Sequence, residues 1–250
     1  MSENFKRGGL LYEGKGKKVF QVLGHENKVL LLFKDDLTAH QGRKTGSFPK
    51  KGEVCKNISS LIFKYLKKED ISTHFIQDIN SQEMLCLKTE IIPLEVVIRN
   101  QLAGSTANRL GIKEGTEIKK TLLEFYYKKD ELDDPFVSEG QIESLKLIPD
   151  FNWLEPIKKQ AFLINKKLQF FFEKAGLKLI DFKMEFGLFK DKLVLADDIS
   201  PDSCRIWENQ TEERLDKDRF RRDWGKVEES YKKIESLLYQ QWGHFLKNNS

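Results

Sequence analysis

The stretch DFKMEFG at Asp181–Gly187, followed by ADDISPDSCR at Ala196–Arg205, decides the fold of this chain. Two runs of strand composition flank the turn FKDK between these segments, and this arrangement predicts a β-hairpin. Strand alternation places Asp181, Lys183 and Glu185 on one face and the apolar residues between them on the other. The hairpin therefore has one polar and one buried face.

Acidic residues crowd toward one end of this hairpin. A register that brings Asp197, Asp198 or Asp202 near Glu185 would offer carboxylate oxygens, which Mg²⁺ prefers together with water and phosphate. The sequence does not fix that register. The alternative interpretation is a half-solvated hairpin whose charges face water or neutralise each other.

Strand and helix patterns along the rest of the chain predict an α+β fold with antiparallel sheets, because strands cluster before and between the helices instead of alternating with them. We expect strands at Leu10–Tyr12, Val19–Leu23, Lys28–Phe33, Thr73–Ile76, Met84–Lys88, Ile91–Arg99, Leu177–Phe186 and Leu193–Ile199. After a polar loop over Lys34–Lys51, we expect helices from Gly52, at about Trp153–Lys174 and at about Lys226–Phe245, with an exposed loop over Tyr126–Glu139. A boundary near residue 90 predicts two lobes, 1–90 and 91–250.

Composition favours a water-soluble globular protein. Hydrophobic residues make up 39% and charged residues 33% of the 250 residues, and the net charge of +4 is mild for a nucleic-acid-binding protein. Three separated cysteines favour a reducing compartment. The start MSENFKRGG lacks the apolar core of a signal peptide, and the run Val29–Phe33 is too short to span a membrane. We expect a cytoplasmic protein without a nucleic-acid or membrane partner.

A candidate phosphate-binding turn lies between two predicted strands. The standard nucleotide-binding patterns GxxxxGK[ST] and GxGxxG are missing from the sequence. In the segment Gly14–Lys18, glycines would let backbone N–H groups approach an anion while lysines supply positive charge. A plain lysine-bearing hairpin turn is the alternative.

Two further segments carry arginines that could bind phosphate. RNQLAGST at Arg99–Thr106 combines an arginine at a strand end with Ser105 at a predicted helix start. The alternative is a helix cap with a structural arginine. The segment LDKDRFRRDWG at Leu215–Gly225 equally fits a solvated charged helix.

Taken together and in this order, these segments resemble the SAICAR synthase family of purine biosynthesis. The resemblance spans most of the chain and rests on LYEGKGKKVF, FKDDLTA, PLEVVIRNQLAGS, DFKMEFG, DISPDSCRIW and LDKDRFRRDWG. It implies a two-lobed fold related to the ATP-grasp and kinase types of nucleotide cleft. The sequence departs from the family pattern at Gln41, where asparagine or aspartate is commoner, so a nucleotide contact from that position is in doubt.

The resemblance implies ATP-dependent ligation of carboxyaminoimidazole ribonucleotide (CAIR) with L-aspartate, through an acyl phosphate, to give SAICAR, ADP and phosphate. ATP is the co-substrate, Mg²⁺ the metal, and a homodimer the expected assembly. The chemistry would consist of positioning and electrostatic stabilisation of phosphoryl transfer.

Residue roles also follow from the resemblance, motif by motif. ATP would contact Lys15, Lys17 and the segment Lys88–Ile91, with Lys88 and Ile91 at its ends; Mg²⁺ would bind Glu185 and Asp197. The ribonucleotide would contact Arg99, Ser105, Asp202 and Arg205, with Arg219 and Arg221 as further candidates, and the reaction centre would contain Asp181 and Lys183.

Two other functions fit parts of the sequence. A small-molecule kinase would share the cleft and the phosphate chemistry but would not need L-aspartate. A non-catalytic nucleotide- or RNA-binding module would fit the sequence pI near 8.7, yet it leaves the acidic hairpin unexplained.

Overall fold

The structure, a computed structural model that describes residues 5–39 and 42–244, is α+β with antiparallel sheets. The strands within these ranges are β1 (Arg7–Glu13), β2 (Lys17–Val22), β3 (Lys28–Phe33), β4 (Asp36–Ala39), β5 (Lys44–Ser47), β6 (Phe75–Asp78), β7 (Glu83–Leu87), β8 (Glu90–Gln101), β9 (Glu117–Tyr127), β10 (Phe136–Val137), β11 (Leu177–Phe189), β12 (Lys192–Ala196) and β13 (Cys204–Glu208). The α-helices are α1 (Lys51–Lys68), α2 (Gly104–Leu110), α3 (Glu139–Ser144), α4 (Leu154–Lys174), α5 (Asp218–Arg221) and α6 (Val227–Trp242).

The first sheet has the strand order β1-β2-β3-β7-β6, and its first three strands correspond to the first three that the sequence predicted. Apolar residues on one side of β3, such as Leu31 and Phe33, belong to the same buried cluster as Ile58 and Leu61 of α1. The segment expected as a polar loop, Lys34–Lys51, instead contains the separate hairpin β4–β5. Its second strand is short, polar and largely exposed, so no apolar alternation marks it in the sequence.

The second sheet has the order β10-β9-β8-β11-β12, with β13 also paired to β11. The predicted hairpin is confirmed as β11 and β12, in a register that pairs Glu185 with Ala196. The first half of β11 lies between β8 and β13, so Asp181 is opposite both Arg99 and Arg205. This central position gives the polar face of β11 neighbours from three strands.

Helices complete one continuous hydrophobic core that includes residues of both sheets. Helix α4 packs on the second sheet and α6 packs on α1. At their meeting point the Trp242 ring stacks on Phe171 with centroids 5.2 Å apart, and its indole N–H donates to the Phe171 carbonyl at 2.9 Å. The long helices agree with the predicted ones, and residue 245 of the predicted last helix lies outside the described residues.

The segment before α4 is more ordered than the sequence predicted. Strand β9 was not foreseen, and β10 and α3 lie in or directly after the expected exposed loop Tyr126–Glu139. Ser138 and Gln141 form a reciprocal capping box that fixes the start of α3. None of the helices in the described ranges combines the length and the hydropathy that a membrane span requires.

Candidate active site

A cavity of about 530 Å³ lies between the first sheet and the polar face of the second. One part of its wall is apolar and comes from the first sheet and the start of β8: Leu11, Val19, Val29, Leu31, Leu87 and Ile91. The opposite part is charged and comes from the polar face of β11, the segment after β12 and the turn between β1 and β2. Such a cavity suits a ligand with one flat apolar end and one anionic end.

The turn between β1 and β2 brings its lysines to the charged wall. The Gly14 N–H donates to the Lys17 carbonyl at 2.9 Å, which closes the turn. The Lys17 ammonium forms ion pairs with Asp197 and Asp198, from the far side of the cavity. Burial alone would lower the pKa of Lys17, but these two carboxylates outweigh burial and raise it. Lys15 forms a more exposed ion pair with Asp130 at 3.0 Å.

Glu185 is a buried carboxylate on the cavity face of β11. It is only 4% exposed and accepts hydrogen bonds from Lys183 and Lys128, each at 2.9 Å. Lys183 also donates to Glu95, its neighbour on β8, at 2.7 Å. Burial opposes the charge on Lys183, yet Glu185, Glu95 and Asp197 raise its pKa well above the usual range.

Asp197 follows β12 directly and adopts a left-handed backbone with φ of 61°. Aspartate tolerates this conformation better than most residues, and such backbone strain clusters at functional sites. Its second carboxylate oxygen lies 4.0 Å from the Lys183 ammonium, which also contacts Glu185. Although burial raises the pKa of Asp197, the cations Lys17 and Lys183 hold it well below its usual range.

Asp202, in the segment between β12 and β13, forms a third charged group with Lys51, the first residue of α1. Its carboxylate pairs with the buried Lys51, accepts a hydrogen bond from the Tyr231 hydroxyl at 2.9 Å, and lies 3.9 Å from Lys217. Burial would raise the pKa of Asp202, but Lys217 and Lys51 lower it, so the group stays ionised. The cavity wall therefore alternates carboxylates and ammonium groups.

A buried ionic cluster continues along β11 beyond the cavity wall. Arg99 donates to Glu124 and to Asp181, each at 2.7 Å, and more weakly to the Ser105 hydroxyl at 3.4 Å. Arg205 donates to the same Asp181 at 2.9 Å. Burial opposes the charge on Arg99, but Asp181 and Glu124 raise its pKa. The two arginines thus share one carboxylate.

The structure brings most of the predicted site residues to the cavity. Eight of them line it: Lys15, Lys17, Lys88, Ile91, Lys183, Glu185, Asp197 and Asp202. The other four form the adjoining ionic cluster: Arg99, Ser105, Asp181 and Arg205. Of the two weaker candidates, Arg219 donates to the backbone carbonyls of Arg214 and Gly225, and Arg221 pairs with Asp218 at 2.6 Å. Gln41 lies outside the described residues.

Sequence reasoning missed several charged residues of the site: Lys51, Glu95, Glu124, Lys128 and Lys217. Glu95 had a usable signal, because it interrupts an apolar strand and shares alternation with Arg99. Lys51 had no such signal. A lysine at a helix start is normally exposed, whereas Lys51 is only 1% exposed.

Most of the carboxylates that line this cavity are paired with lysines. In the part of the chain that the structure describes, no three histidine, cysteine, aspartate or glutamate residues gather as a ready metal site. Glu185 and Asp197 offer two carboxylates near one point, on either side of Lys183. That set suits a cation that brings further ligands from a phosphate and water.

Comparisons with known proteins give one consistent result. The family model described as SAICAR synthetase matches residues 10–237. The phosphoribosylaminoimidazole-succinocarboxamide synthase of Clostridium kluyveri is 49% identical over 229 residues, which cover 92% of this chain and 97% of that protein. The synthase of Campylobacter fetus is 48% identical over 226 residues, covering 90% and 95%.

Solved structures agree with the sequence relatives. The crystal structure of the synthase from Ehrlichia chaffeensis is similar with a TM-score of 0.88 and 45% identity, covering 92% of this chain and 98% of that one. A SAICAR synthetase in complex with ADP is similar with a TM-score of 0.87 and 39% identity, covering 94% and 99%. The expected fold class is therefore confirmed, and this chain belongs to the SAICAR synthetase family, the carbon–nitrogen ligases that use ATP to join CAIR to L-aspartate in purine biosynthesis.

Proposed function

We propose that the chain carries out this ligation in the cavity between its two sheets. One observation carries the proposal: Lys17, from the candidate phosphate turn, pairs with Asp197 and Asp198, from the acidic end of the β11–β12 hairpin. A phosphate-binding turn and a carboxylate pair that face each other suit phosphoryl transfer, in which positioning and charge neutralisation do most of the work.

The reaction has two steps in this proposal. A carboxylate oxygen of CAIR attacks the γ-phosphorus of ATP, the bond to ADP breaks, and an acyl phosphate forms. The amine of L-aspartate then attacks the acyl carbon, phosphate leaves with the bonding electrons, and the nitrogen loses one proton. No nucleophilic side chain is required, which agrees with the charged but thiol-free cavity wall over the described residues.

The triphosphate of ATP would lie along the turn with Lys15 and Lys17. The adenine would lie against the apolar wall and meet the backbone of Lys88–Ile91. Since the Lys88 N–H already donates to the Asn27 carbonyl at 2.9 Å, we expect this segment to accept from the adenine amino group through a carbonyl oxygen.

Glu185 and Asp197 would hold Mg²⁺. When bound there, the ion would supply positive charge against the negative charge that develops during phosphoryl transfer. Both residues offer hard carboxylate oxygens on one side of the cavity, and their present partners are the flexible ends of Lys183, Lys128 and Lys17. A lysine ammonium can move to a phosphate when the nucleotide binds, so the donor set fits the ion.

The ribonucleotide would bind where the cavity meets the ionic cluster. Arg99, Ser105 and Arg205 would hold its phosphate, and Asp202 would contact the imidazole ribonucleotide. Asp181 would orient both arginines, because each donates to it within 2.9 Å. Lys183 lies on β11 between Asp181 of this cluster and Glu185. It would neutralise the reacting carboxylate of CAIR.

We extend the proposal to the larger organisation of the chain. Residues 1–90 would form the ATP-binding lobe and residues 91–250 the lobe with the ribonucleotide and metal sites. The family also favours a cytoplasmic homodimer. Sedimentation of the purified chain at several concentrations tests the assembly, and a monomer throughout would contradict it.

The proposed activity is tested by measuring ADP release while each substrate is omitted in turn. We expect full ADP release only with ATP, Mg²⁺, the ribonucleotide and L-aspartate together, and SAICAR as the product. If ADP forms at the full rate without L-aspartate and no succinocarboxamide appears, the chain is a kinase and the proposed ligation is wrong.

The proposed metal site is tested by Glu185→Gln. Loss of this anionic ligand should lower kcat about 100-fold or more, because metal stabilisation of phosphoryl transfer contributes several kcal/mol. The exposed Glu117→Gln, at the far end of the same sheet, is the control and should leave kcat unchanged. Near-wild-type turnover of Glu185→Gln at ordinary Mg²⁺ would remove Glu185 from the metal site.

A further inference from the structure

Lys217 differs in its ionic contacts from most of the other lysines that line the cavity. Four of those lysines, Lys15, Lys17, Lys128 and Lys183, each have a carboxylate oxygen within 3.0 Å. Over the described residues, the only carboxylate contact of Lys217 within 4.0 Å is Asp202, at 3.9 Å. Its positive charge is therefore less compensated than the charges of these four. The remaining cavity lysine, Lys88, has no carboxylate partner within 4.0 Å over the described residues, but its side chain is exposed to solvent.

The nearest carboxylate is already engaged by other groups. Asp202 pairs closely with Lys51 and accepts the Tyr231 hydroxyl on the same oxygen that faces Lys217. Arg221 adds a second cation nearby. Burial lowers the pKa of Lys217, and the nearby cations Arg221 and Lys51 lower it further. Asp202 and Cys55 act in the opposite direction. A further anion beside Lys217 would relieve this repulsion.

The backbone holds Lys217 in a defined position. The preceding Asp216 is fully buried and accepts hydrogen bonds from the N–H groups of Ile206 at 2.9 Å and Asp218 at 2.8 Å. The Lys217 N–H donates to the Pro201 carbonyl at 3.3 Å. Its side chain, 13% exposed, reaches the cavity beside Asp202 and Ser203. Because the backbone is fixed here, the side chain can meet an anion in the cavity without a rearrangement of the loop.

We propose that Lys217 binds a carboxylate of L-aspartate, an inference that rests on the proposed ligase function. The other anionic groups already have proposed partners: the triphosphate at Lys15 and Lys17, and the ribonucleotide phosphate at Arg99 and Arg205. L-Aspartate brings two carboxylates to the same cavity, and one of them needs a cation that is not committed elsewhere. Lys217 meets that requirement.

The test compares Lys217→Gln with Lys217→Arg and with the exposed control Lys232→Gln, whose lysine pairs only with Glu228 on α6 among the carboxylates within 4.0 Å over the described residues. Lys217→Gln should raise the KM for L-aspartate about tenfold or more, the usual loss for a charge-assisted contact. The KM values for ATP and CAIR should stay within about twofold, which also shows that the variant is folded. Lys217→Arg should recover part of the loss, and Lys232→Gln should match the wild type.

A second measurement separates carboxylate binding from proton transfer. Succinate carries both carboxylates of L-aspartate without its amine, so the inhibition constant of succinate against L-aspartate should rise in parallel in Lys217→Gln. If kcat falls while this constant is unchanged, Lys217 acts on the amine and the proposal is wrong. If the KM for CAIR rises instead, Lys217 serves the ribonucleotide and the proposal is also wrong. Failure of the wild type to form SAICAR would instead overturn the ligase function itself.

Discussion

At the scale of single residues, the close approach of Arg205 to the backbone depends on a glycine. Gly104 has a left-handed backbone with φ of 59°, and a Cβ atom built there would lie 2.1 Å from Nη2 of Arg205. The guanidinium therefore rests directly on the start of α2, where it can reach both Asp181 and Asp218. The sequence pattern RNQLAGST predicted a phosphate-binding helix start but not this steric requirement.

Gly104→Ala should displace Arg205 and raise the KM for the ribonucleotide about tenfold, as expected for one lost charge-assisted contact. Backbone strain should also lower the free energy of unfolding by about 1 kcal/mol or more. The matched control is Gly111→Ala, at the other end of α2, where φ is 64° and no atom lies within 4 Å of the built Cβ. Equal KM values in the two variants would show that Arg205 does not need this space for substrate binding.

Single residues also mark the limit of sequence reasoning. Strand alternation correctly placed Asp181, Lys183 and Glu185 on one face, because side-chain direction in a strand is a local property. Lys17 and Asp197 are 180 positions apart, and nothing local indicates that they form an ion pair. The resemblance to a family supplied that proximity, which charge patterns alone left open.

At the scale of elements, the segment before β6 joins the two sheets. The His74 N–H donates to the Leu195 carbonyl of β12 at 2.8 Å, and its own carbonyl accepts from the Leu87 N–H at 2.7 Å. The ring is buried, 3.7 Å from the Cys86 sulfur and packed edge-on against Phe63. An isolated histidine carries no signal of burial in the sequence, so this position of the ring could not be predicted from it.

Burial lowers the pKa of His74 to about 4 from the usual 6.5, and this makes stability depend on pH. Between these values the unfolded chain binds a proton that the folded protein does not, so stability falls as the pH is lowered from about 7 to 4. The contribution lost is at most about 3 kcal/mol. Urea unfolding of wild type and His74→Gln across this range should show a smaller pH slope in the variant. An identical slope in the two proteins would contradict the prediction. The variant His25→Gln, at a half-buried position, controls for the loss of a histidine.

Two of the missed strands, β5 and β9, differ from the predicted strands in one physical respect. Strands β2, β3, β11 and β12 each bury one or more apolar residues, so their composition and alternation are visible in the sequence. Strand β5 has no fully buried residue, and most positions of β9 are exposed or half-buried. Strands β5 and β9 are stabilised by pairing with neighbouring strands, and such pairing leaves no local pattern in the amino-acid sequence.

At the scale of the whole molecule, ionic contacts across the cavity join the first sheet to the second. Lys17 belongs to β2, whereas Asp197 and Asp198 follow β12, and all three side chains are largely buried. A nucleotide that binds between the sheets would replace these contacts with phosphate contacts. Ligand binding should therefore stabilise the pairing of the two sheets and raise the melting temperature.

This linkage predicts the behaviour of Lys17→Met. With Mg²⁺·ADP at about 100 times its Kd, binding stabilises the wild type by about 2.7 kcal/mol and should raise Tm by several degrees. Without the Lys17 ammonium, Asp197 and Asp198 repel the phosphates, so less than half of this rise should remain. Thermal unfolding with and without Mg²⁺·ADP measures the difference, and Lys192→Met, an exposed lysine on β12, should keep the full rise. A full rise in Lys17→Met would show that the turn between β1 and β2 does not hold the phosphates and is a plain lysine-bearing hairpin turn.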